Sequence, residues 1–360
     1  VQNNTQVRIQ AISDPFSNPS LTSETVDVPF FADPGNASNP GGSLWVVGRR
    51  IMNAHLRDGR LWACHSVENG TVTRSLARWY EIDAGSWPNG PSPQLLQSGE
   101  IEMSASDHTF FPAIYSNRLG NAALVFGKSS ESDNPSVHGT GRLLEDAAGF
   151  MRTPLEFIGG EAANGRWGDY FDIAIDPLDD RTFWMVGEYQ STSGWRTWIE
   201  KFTLEELVTP LEFIVTTGTW ISGLRVNLQQ DEDARVIFVA RGGRTVEVEF
   251  DSRSPTEAPS QIYFTLESMV STDEGGDFEQ IIELFDFETG LWEPVDMQMM
   301  TVLNEDEKRE LYLSGDLSRF VQTGSRTISA RVTLERQLTG TGPKPRFFGE
   351  FDLVEWTIAN

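Results

Sequence analysis

The sequence predicts an all-β chain: a partial β-propeller of about three to four blades, followed by a β-sandwich of jelly-roll type. Three observations carry this expectation. Short runs rich in Val, Ile, Phe, Trp and Thr, broken by Gly, Asn and Asp turns, fill the chain, and helical periodicity is scarce. A hairpin-like unit recurs at a fixed spacing in the N-terminal part. After about residue 203 that echo stops, and strands that alternate apolar and polar residues take over.

Taken in order, residues 6–11 and 25–31 read as strand material ahead of the repeat. The first unit runs from residue 53 to 56, turns at Arg57-Asp58-Gly59-Arg60 and continues through 61–66. The second runs through 112–115, turns at Gly120-Asn121 and continues through 122–127. The third runs through 171–175, turns at Asp176-Pro177-Leu178-Asp179-Asp180 and continues through 182–187. Ala54, Ala113 and Asp172 are spaced 59 residues apart, and each hairpin is followed by a further strand. A small sheet with two apolar faces needs neighbours on both sides, and blades of a propeller supply them. Propellers close with about four to eight blades, so three units leave the ring open. The expectation is that an upstream polypeptide or a second chain completes it. Residues 203–208 read as a helical turn or two, and 304–310 as a charged loop or short turn. The strands of the C-terminal part include 235–240, 245–250, 261–267, 280–287, 327–332 and 351–358. They suit two stacked sheets, which places the domain boundary between 1–212 and 213–360.

Composition excludes several classes of function. Against 28 Lys and Arg stand 53 Asp and Glu, a net charge of −25, and no basic cluster interrupts the acidity, so nucleic acid is not a partner. No apolar run approaches the length of about 20 residues that spans a bilayer. The 22 Phe and 11 Trp provide ample core material. Cys64 is the one cysteine, set in an apolar strand, where it reads as a small buried hydrophobe rather than a nucleophile. The chain starts at Val1 without Met or a signal segment, which fits a processed or trimmed product, and sequons stand at Asn3, Asn36 and Asn69.

Arg166-Trp167-Gly168-Asp169-Tyr170, with the Asp176-Pro177, Asp179-Asp180, Thr182-Phe183-Trp184 and Glu188-Tyr189 elements after it, resembles sialidase-like propellers of large secreted bacterial proteins, notably from planctomycetes. The segment ending Ala77-Arg78-Trp79-Tyr80-Glu81 and the run Phe110-Phe111-Pro112-Ala113-Ile114 are similar to the preceding blades. Ile282-Glu283-Leu284-Phe285-Asp286, the segment 315–321 and Val354-Glu355-Trp356-Thr357-Ile358 resemble the jelly-roll module that such proteins carry. The resemblance implies the fold and export to the cell surface or beyond; most members of the group have no assigned activity.

A glycosidase needs two carboxyl groups, or a Tyr nucleophile with an acid/base partner and an arginine cluster. The candidates at strand starts facing a propeller axis are Asp107, His108, Arg166, Asp169 and Tyr170, although Gly168 and Asp169 also suit a structural turn between blades. Asp176, Asp179 and Asp180 offer oxygen ligands at calcium-like spacing, as do Asp231, Glu232 and Asp233, without a glycine-punctuated loop. Solvated turns explain both clusters as well. The S-x-D-x-G-x-x-aromatic run at 271–278 matches the Asp-box turn of sialidases but lies outside the repeat and reads as a chance match. His55, His65, His108 and His138 are dispersed without metal spacing. Trp195 and Trp198, three apart on one strand, point to opposite faces, and with Trp220 and Trp292 they suit either packing or stacking on a sugar ring. The favoured expectation is a secreted or surface protein for binding, adhesion or scaffolding, recognising protein or glycan. The alternative is a glycan-active hydrolase with its site in the propeller channel.

Overall fold

The computed structural model describes residues 4–71, 73–144, 146–162, 170–229, 234–240, 244–273, 275–337 and 346–359. The chain is all-β and divides into two compact units, Val1–Leu204 and Glu205–Asn360.

The first unit opens with hairpins β1 (Gln6–Ser13) with β2 (Ser20–Asp27) and β3 (Ala37–Asn39) with β4 (Gly42–Leu44). Three antiparallel meanders follow. Sheet one is β5 (Ile51–Arg57), β6 (Arg60–Val67), β7 (Leu76–Asp83) and β8 (Gln94–Ile101). Sheet two is β9 (His108–Ser116), β10 (Ala122–Ser129), β11 (Ser136–Arg142) and β12 (Leu155–Ile158). Sheet three has three strands, β13 (Asp172–Ile175), β14 (Phe183–Ser191) and β15 (Gly194–Phe202). Within each sheet every strand pairs with the next in the chain. Between β5 and β6, Asp58 and Gly59 take φ of 48° and 76°, the left-handed pair of a two-residue hairpin.

The sheets radiate around a shared axis, as blades do. Stacked flat at about 10 Å spacing, sheets one and three would lie about 20 Å apart with sheet two between them. Instead β5 meets sheet three directly: Asn53 Nδ2 donates to Asp172 Oδ1 of β13 at 3.4 Å, and Arg57 Nη1 to Asp180 Oδ1 in the β13–β14 turn at 2.7 Å. Sheets one and two are apolar on both faces. Trp62, Cys64, Trp79, Ile114, Leu124 and Phe126 fill one layer, and Phe110, Ala113, Val125, Ile173, Phe183 and Met185 the next. Hairpin β1–β2 covers the remaining face of sheet one through Val7 and Val26, against Leu76, Tyr80 and Ile82.

The second unit is a two-sheet sandwich. One sheet orders β18 (Thr219–Ser222), β19 (Val236–Val239), β26 (Phe348–Ala359), β21 (Gln261–Ser271) and β24 (Glu307–Leu313), with β16 (Glu206–Val208) also on β26. The other orders β17 (Glu212–Thr217), β20 (Thr245–Arg253), β25 (Thr327–Gln337), β22 (Asp277–Asp286) and β23 (Leu291–Met299). Strict alternation on β20 turns Val246, Val248 and Phe250 inward against Phe238, Phe264, Phe351 and Trp356. Two expectations are corrected. The segment expected to turn helically at 203–208 holds strand β16, because Glu206–Val208 pairs with Ile358–Trp356. The expected charged loop at 304–310 holds the start of β24, whose Glu307 to Leu313 pairs with β21. In both places a long-range ladder overrides the local pattern.

Candidate functional site

The propeller axis, where the channel reading placed chemistry, is occupied by side chains. Asn53 Oδ1 accepts from the Ile114 amide at 3.1 Å while its Nδ2 reaches Asp172. His55 stacks on Tyr115 with ring centroids 3.5 Å apart. At one end the turns of the three blades interlock, since the Arg118 amide donates to Asp180 O at 3.0 Å and Arg57 clasps the Asp180 carboxylate.

A cleft lined by one predicted site residue, His108, lies elsewhere in the unit. It has a volume of about 550 Å³ and is lined by Ser38, Arg74, Ser106, His108, Glu131 and Ser132, among others. Two loops of the same make-up form its walls, Ser104-Ala105-Ser106-Asp107 before β9 and Ser130-Glu131-Ser132-Asp133 after β10. In each the first serine hydroxyl accepts the amide two residues on, at 3.3 Å for both Ser106 and Ser132, a turn that short hydroxyl side chains favour. Lys128 joins the loops, its Nζ standing 2.7 Å from Asp133 and 3.3 Å from Asp107. Burial opposes the Lys128 charge, but the Asp133 hydrogen bond and both carboxylates overcome it and hold its pKa above the ordinary lysine value. The same contact, with Ser130, holds Asp133 below the usual carboxylate range.

His108 reaches the cleft through a bulge. Between Val125 and Gly127 the β9–β10 ladder shifts, and Phe111 takes φ of 52°, a left-handed conformation that a bulky side chain rarely adopts. Pro112 follows, with no amide to leave unpaired, and the Phe111 amide is satisfied by Ser66 Oγ at 3.1 Å. Gly127 is required opposite, because a Cβ there would stand 2.4 Å from the Phe110 ring. On the N-terminal side of this kink, at the start of β9, the Ser75 amide donates to His108 Nδ1 at 3.2 Å. That contact fixes the neutral tautomer with its proton on Nε2. Burial, then the nearby Arg74 charge, pushes the His108 pKa down. His108 therefore stands as a neutral donor beside Arg74, the serine hydroxyls and the Glu131 carboxylate.

Of the predicted catalytic residues, the structure brings Asp107 and His108 together, with Asp107 engaged by Lys128. Tyr170 is 72 % exposed and is not part of the cleft wall. Arg166 and Asp169 lie outside the described residues. Asp176, Asp179 and Asp180 are each engaged by protein donors. Asp176 Oδ2 accepts from Trp184 Nε1 at 2.9 Å, Asp179 accepts the Arg181 and Thr182 amides at 2.9 Å each, and Asp180 binds Arg57. Among the described residues no group of three acidic, histidine or cysteine side chains converges to hold a metal ion. Asp231, Glu232 and Asp233 fall outside the described residues. The Asp-box match spans the link from β21 to β22, and Glu274 within it is likewise not described. Trp195 is 65 % exposed, whereas Trp198 packs on the core, as their spacing requires. Cys64 is buried and its thiol donates to Pro112 O at 3.1 Å. Arg74, Ser130, Glu131 and Ser132 were missed by sequence reasoning. The signal was present as the repeated Ser-x-Ser-Asp tetrapeptide.

A second depression of about 300 Å³ is lined by Arg57, Asp58, Arg60, Trp62, Glu81 and Gln97, among others. Its two carboxylates are engaged, Glu81 accepting from Gln97 Nε2 at 2.5 Å and Asp58 pairing with Arg57 Nε at 3.4 Å.

No family model matches the chain, and no curated protein does. Solved structures to which the chain shows similarity include a xylan β-1,4-xylosidase from Bacillus halodurans C-125, at 10 % identity over 100 % of this chain and 85 % of that one, TM-score 0.29. An exo-β-1,3-galactanase from Phanerochaete chrysosporium with β-1,3-galactotriose matches at 10 % over 98 % and 78 %, TM-score 0.24. A sialidase from Trypanosoma rangeli matches at 11 % over 98 % and 75 %, TM-score 0.22. Among the described residues no helix is long and apolar enough to cross a membrane.

Proposed function

We propose that this is a secreted or surface-exposed recognition protein that binds a hydroxyl-rich ligand, a glycan, in the cleft between the two Ser-x-Ser-Asp loops. One observation carries the reading: the cleft presents donors and acceptors but a single unengaged kind of carboxylate. His108 offers a fixed Nε2 proton, the serines offer hydroxyls that both donate and accept, and Glu131 accepts. Paired donors and acceptors of this sort match the vicinal hydroxyls of a sugar. The common route of glycoside hydrolysis uses two carboxyl groups flanking the bond, and Asp107 and Asp133, the other acids of the two loops, are both held by Lys128.

The test is a glycan-array screen followed by calorimetry on the best ligand. His108→Ala removes the neutral donor and is expected to weaken binding about tenfold, since a hydrogen bond lost in binding is worth roughly 1 kcal/mol or more. Lys128→Met, which frees the two loops from each other, is expected to weaken it as well while Ser-to-Ala changes in the sandwich unit do not. Release of free sugar from the bound glycan, abolished by Glu131→Gln or Glu81→Gln, would replace this reading with the hydrolase one.

A further inference from the structure

Sheets one and two each carry a fourth, outermost strand, β8 and β12, paired to the third. Among the described residues sheet three has none, and β15 is its edge. The third strands of the other sheets, β7 and β11, are buried along their length, whereas Trp195, Arg196, Thr197, Ile199 and Lys201 of β15 are exposed, Trp195 and Ile199 at 65 % each. Among the described residues no backbone hydrogen bond reaches the outer edge of β15.

The turn between β14 and β15 fixes which groups that edge presents. Ser191 pairs with Gly194 across a two-residue turn, so Gly194, Arg196, Trp198, Glu200 and Phe202 bond inward to β14. Trp195, Thr197, Ile199 and Lys201 then point their amides and carbonyls outward. Trp195 O is met only by the guanidinium of its own neighbour Arg196, at 2.9 Å, and the Lys201 amide only by the carboxylate of its neighbour Glu200, at 3.3 Å. A nine-residue edge with this many open groups is a template for another strand.

We infer that the strand which pairs there is β15 of a second copy, in an antiparallel two-fold ladder centred on Trp198. The sequence Gly-Trp-Arg-Thr-Trp-Ile-Glu-Lys-Phe is self-complementary in that register. Arg196 falls opposite Glu200 of the second copy, Trp195 opposite its Lys201, and Thr197 opposite its Ile199. Each relation occurs twice by symmetry. The ladder parity agrees independently of charge. Trp195 with Lys201 and Thr197 with Ile199 are pairs of outward-bonding residues, so the open groups of one edge find those of the other. Shifting the register by one step along either strand puts Arg196 opposite Phe202 or opposite Trp198, and the charge match is lost. The product is one continuous sheet of six strands, β13-β14-β15 from each copy, with two ion pairs and two cation–aromatic contacts across the seam. This surface is separate from the cleft, and the inference does not depend on what the cleft binds.

The experiment measures the association state of the full chain by sedimentation across a concentration series. The native chain is expected to dimerise. Arg196→Glu and Glu200→Arg each set like charges opposite each other twice, and each is expected to weaken the dimer about tenfold to a hundredfold. An equimolar mixture of the two variants restores both pairs with reversed sign and is expected to form a heterodimer as tight as the native dimer. A native chain that stays monomeric throughout the series overturns the inference. So does a dimer indifferent to both variants, or a mixture no tighter than either variant alone. Arg196 is exposed and Glu200 is half-buried, its carboxylate accepting from Trp198 Nε1 at 2.9 Å, so circular dichroism of each variant separates lost pairing from lost folding.

Discussion

In β10, the run from Ala122 to Phe126 is buried on both sides of its sheet. In the first five residues of β14 only alternate ones are, so that Phe183 and Met185 are covered while Trp184 and Val186 stand 41 % and 36 % exposed. Both strands are written in the same residue types, and both follow the same turn-and-return design. What differs is the neighbour. Sheet two lies between sheets one and three and loses both faces to packing, whereas sheet three packs one face against Val125, Val137 and Phe110 and leaves the other open. A strand that is apolar on both faces thus records a capacity for two neighbours rather than their presence.

The largest expected effect tests that difference directly. Phe126 is fully buried beside Trp62, Cys64 and Ile114, and its replacement by Ala should cost about 3–5 kcal/mol through lost burial and the cavity left behind. Ile199→Ala on the open face of sheet three should fall within about 0.5 kcal/mol when measured on the monomer. Urea unfolding of the two variants reads both. Comparable losses would mean that the open face is covered in solution, and the contrast between the sheets would fall.

Acid should separate the sheets next. His65 in sheet one and His138 in sheet two are buried, and burial pushes each pKa down from 6.5 to about 4. The fold therefore favours the neutral rings. Their contribution is complete above about pH 6.5 and is lost as the pH falls from there towards about 4, where the unfolded chain binds protons that the folded chain refuses. A shift of this size corresponds to about 3 kcal/mol per histidine once the fall is complete. Sheet three has no histidine among its strands. Hydrogen exchange at pH 5 against pH 7 should thus show the loss in sheets one and two first, and His138→Gln should flatten the profile.

How much of this could be read from the sequence depends on range. The meanders were legible because each hairpin announces itself within about twenty residues, as Asp58-Gly59 does between two apolar runs. The partner of Asp180 was not legible. That residue looked like a calcium ligand beside Asp176 and Asp179, yet its carboxylate faces Arg57, 123 residues away. Residues 203–208 looked helical because their local pattern is helical, and only pairing with β26 makes Glu206–Val208 extended. The cleft was half legible. Asp107 and His108 stood out as titratable, whereas the Ser-x-Ser-Asp loops, which give the cleft its walls, carry their meaning only once Lys128 is seen to hold both aspartates.

The smallest expected effect sharpens the comparison most, because Arg57 and Asp180 tie sheet one to sheet three without passing through sheet two. The pair is only partly shielded, with the Arg57 and Asp180 side chains 22 % and 39 % exposed, so solvent screens it. A double-mutant cycle of Arg57→Ala and Asp180→Ala should return a coupling of about 0.5–1 kcal/mol. Its consequence should be local. Sheet three is packed on one face alone, so loss of the tie ought to raise hydrogen exchange in β13 and β14 while β9 and β10, held from both sides, stay protected. If exchange rose equally in both sheets, the three blades would open as one unit. The open face of sheet three would then be no weaker than the buried faces of sheet two.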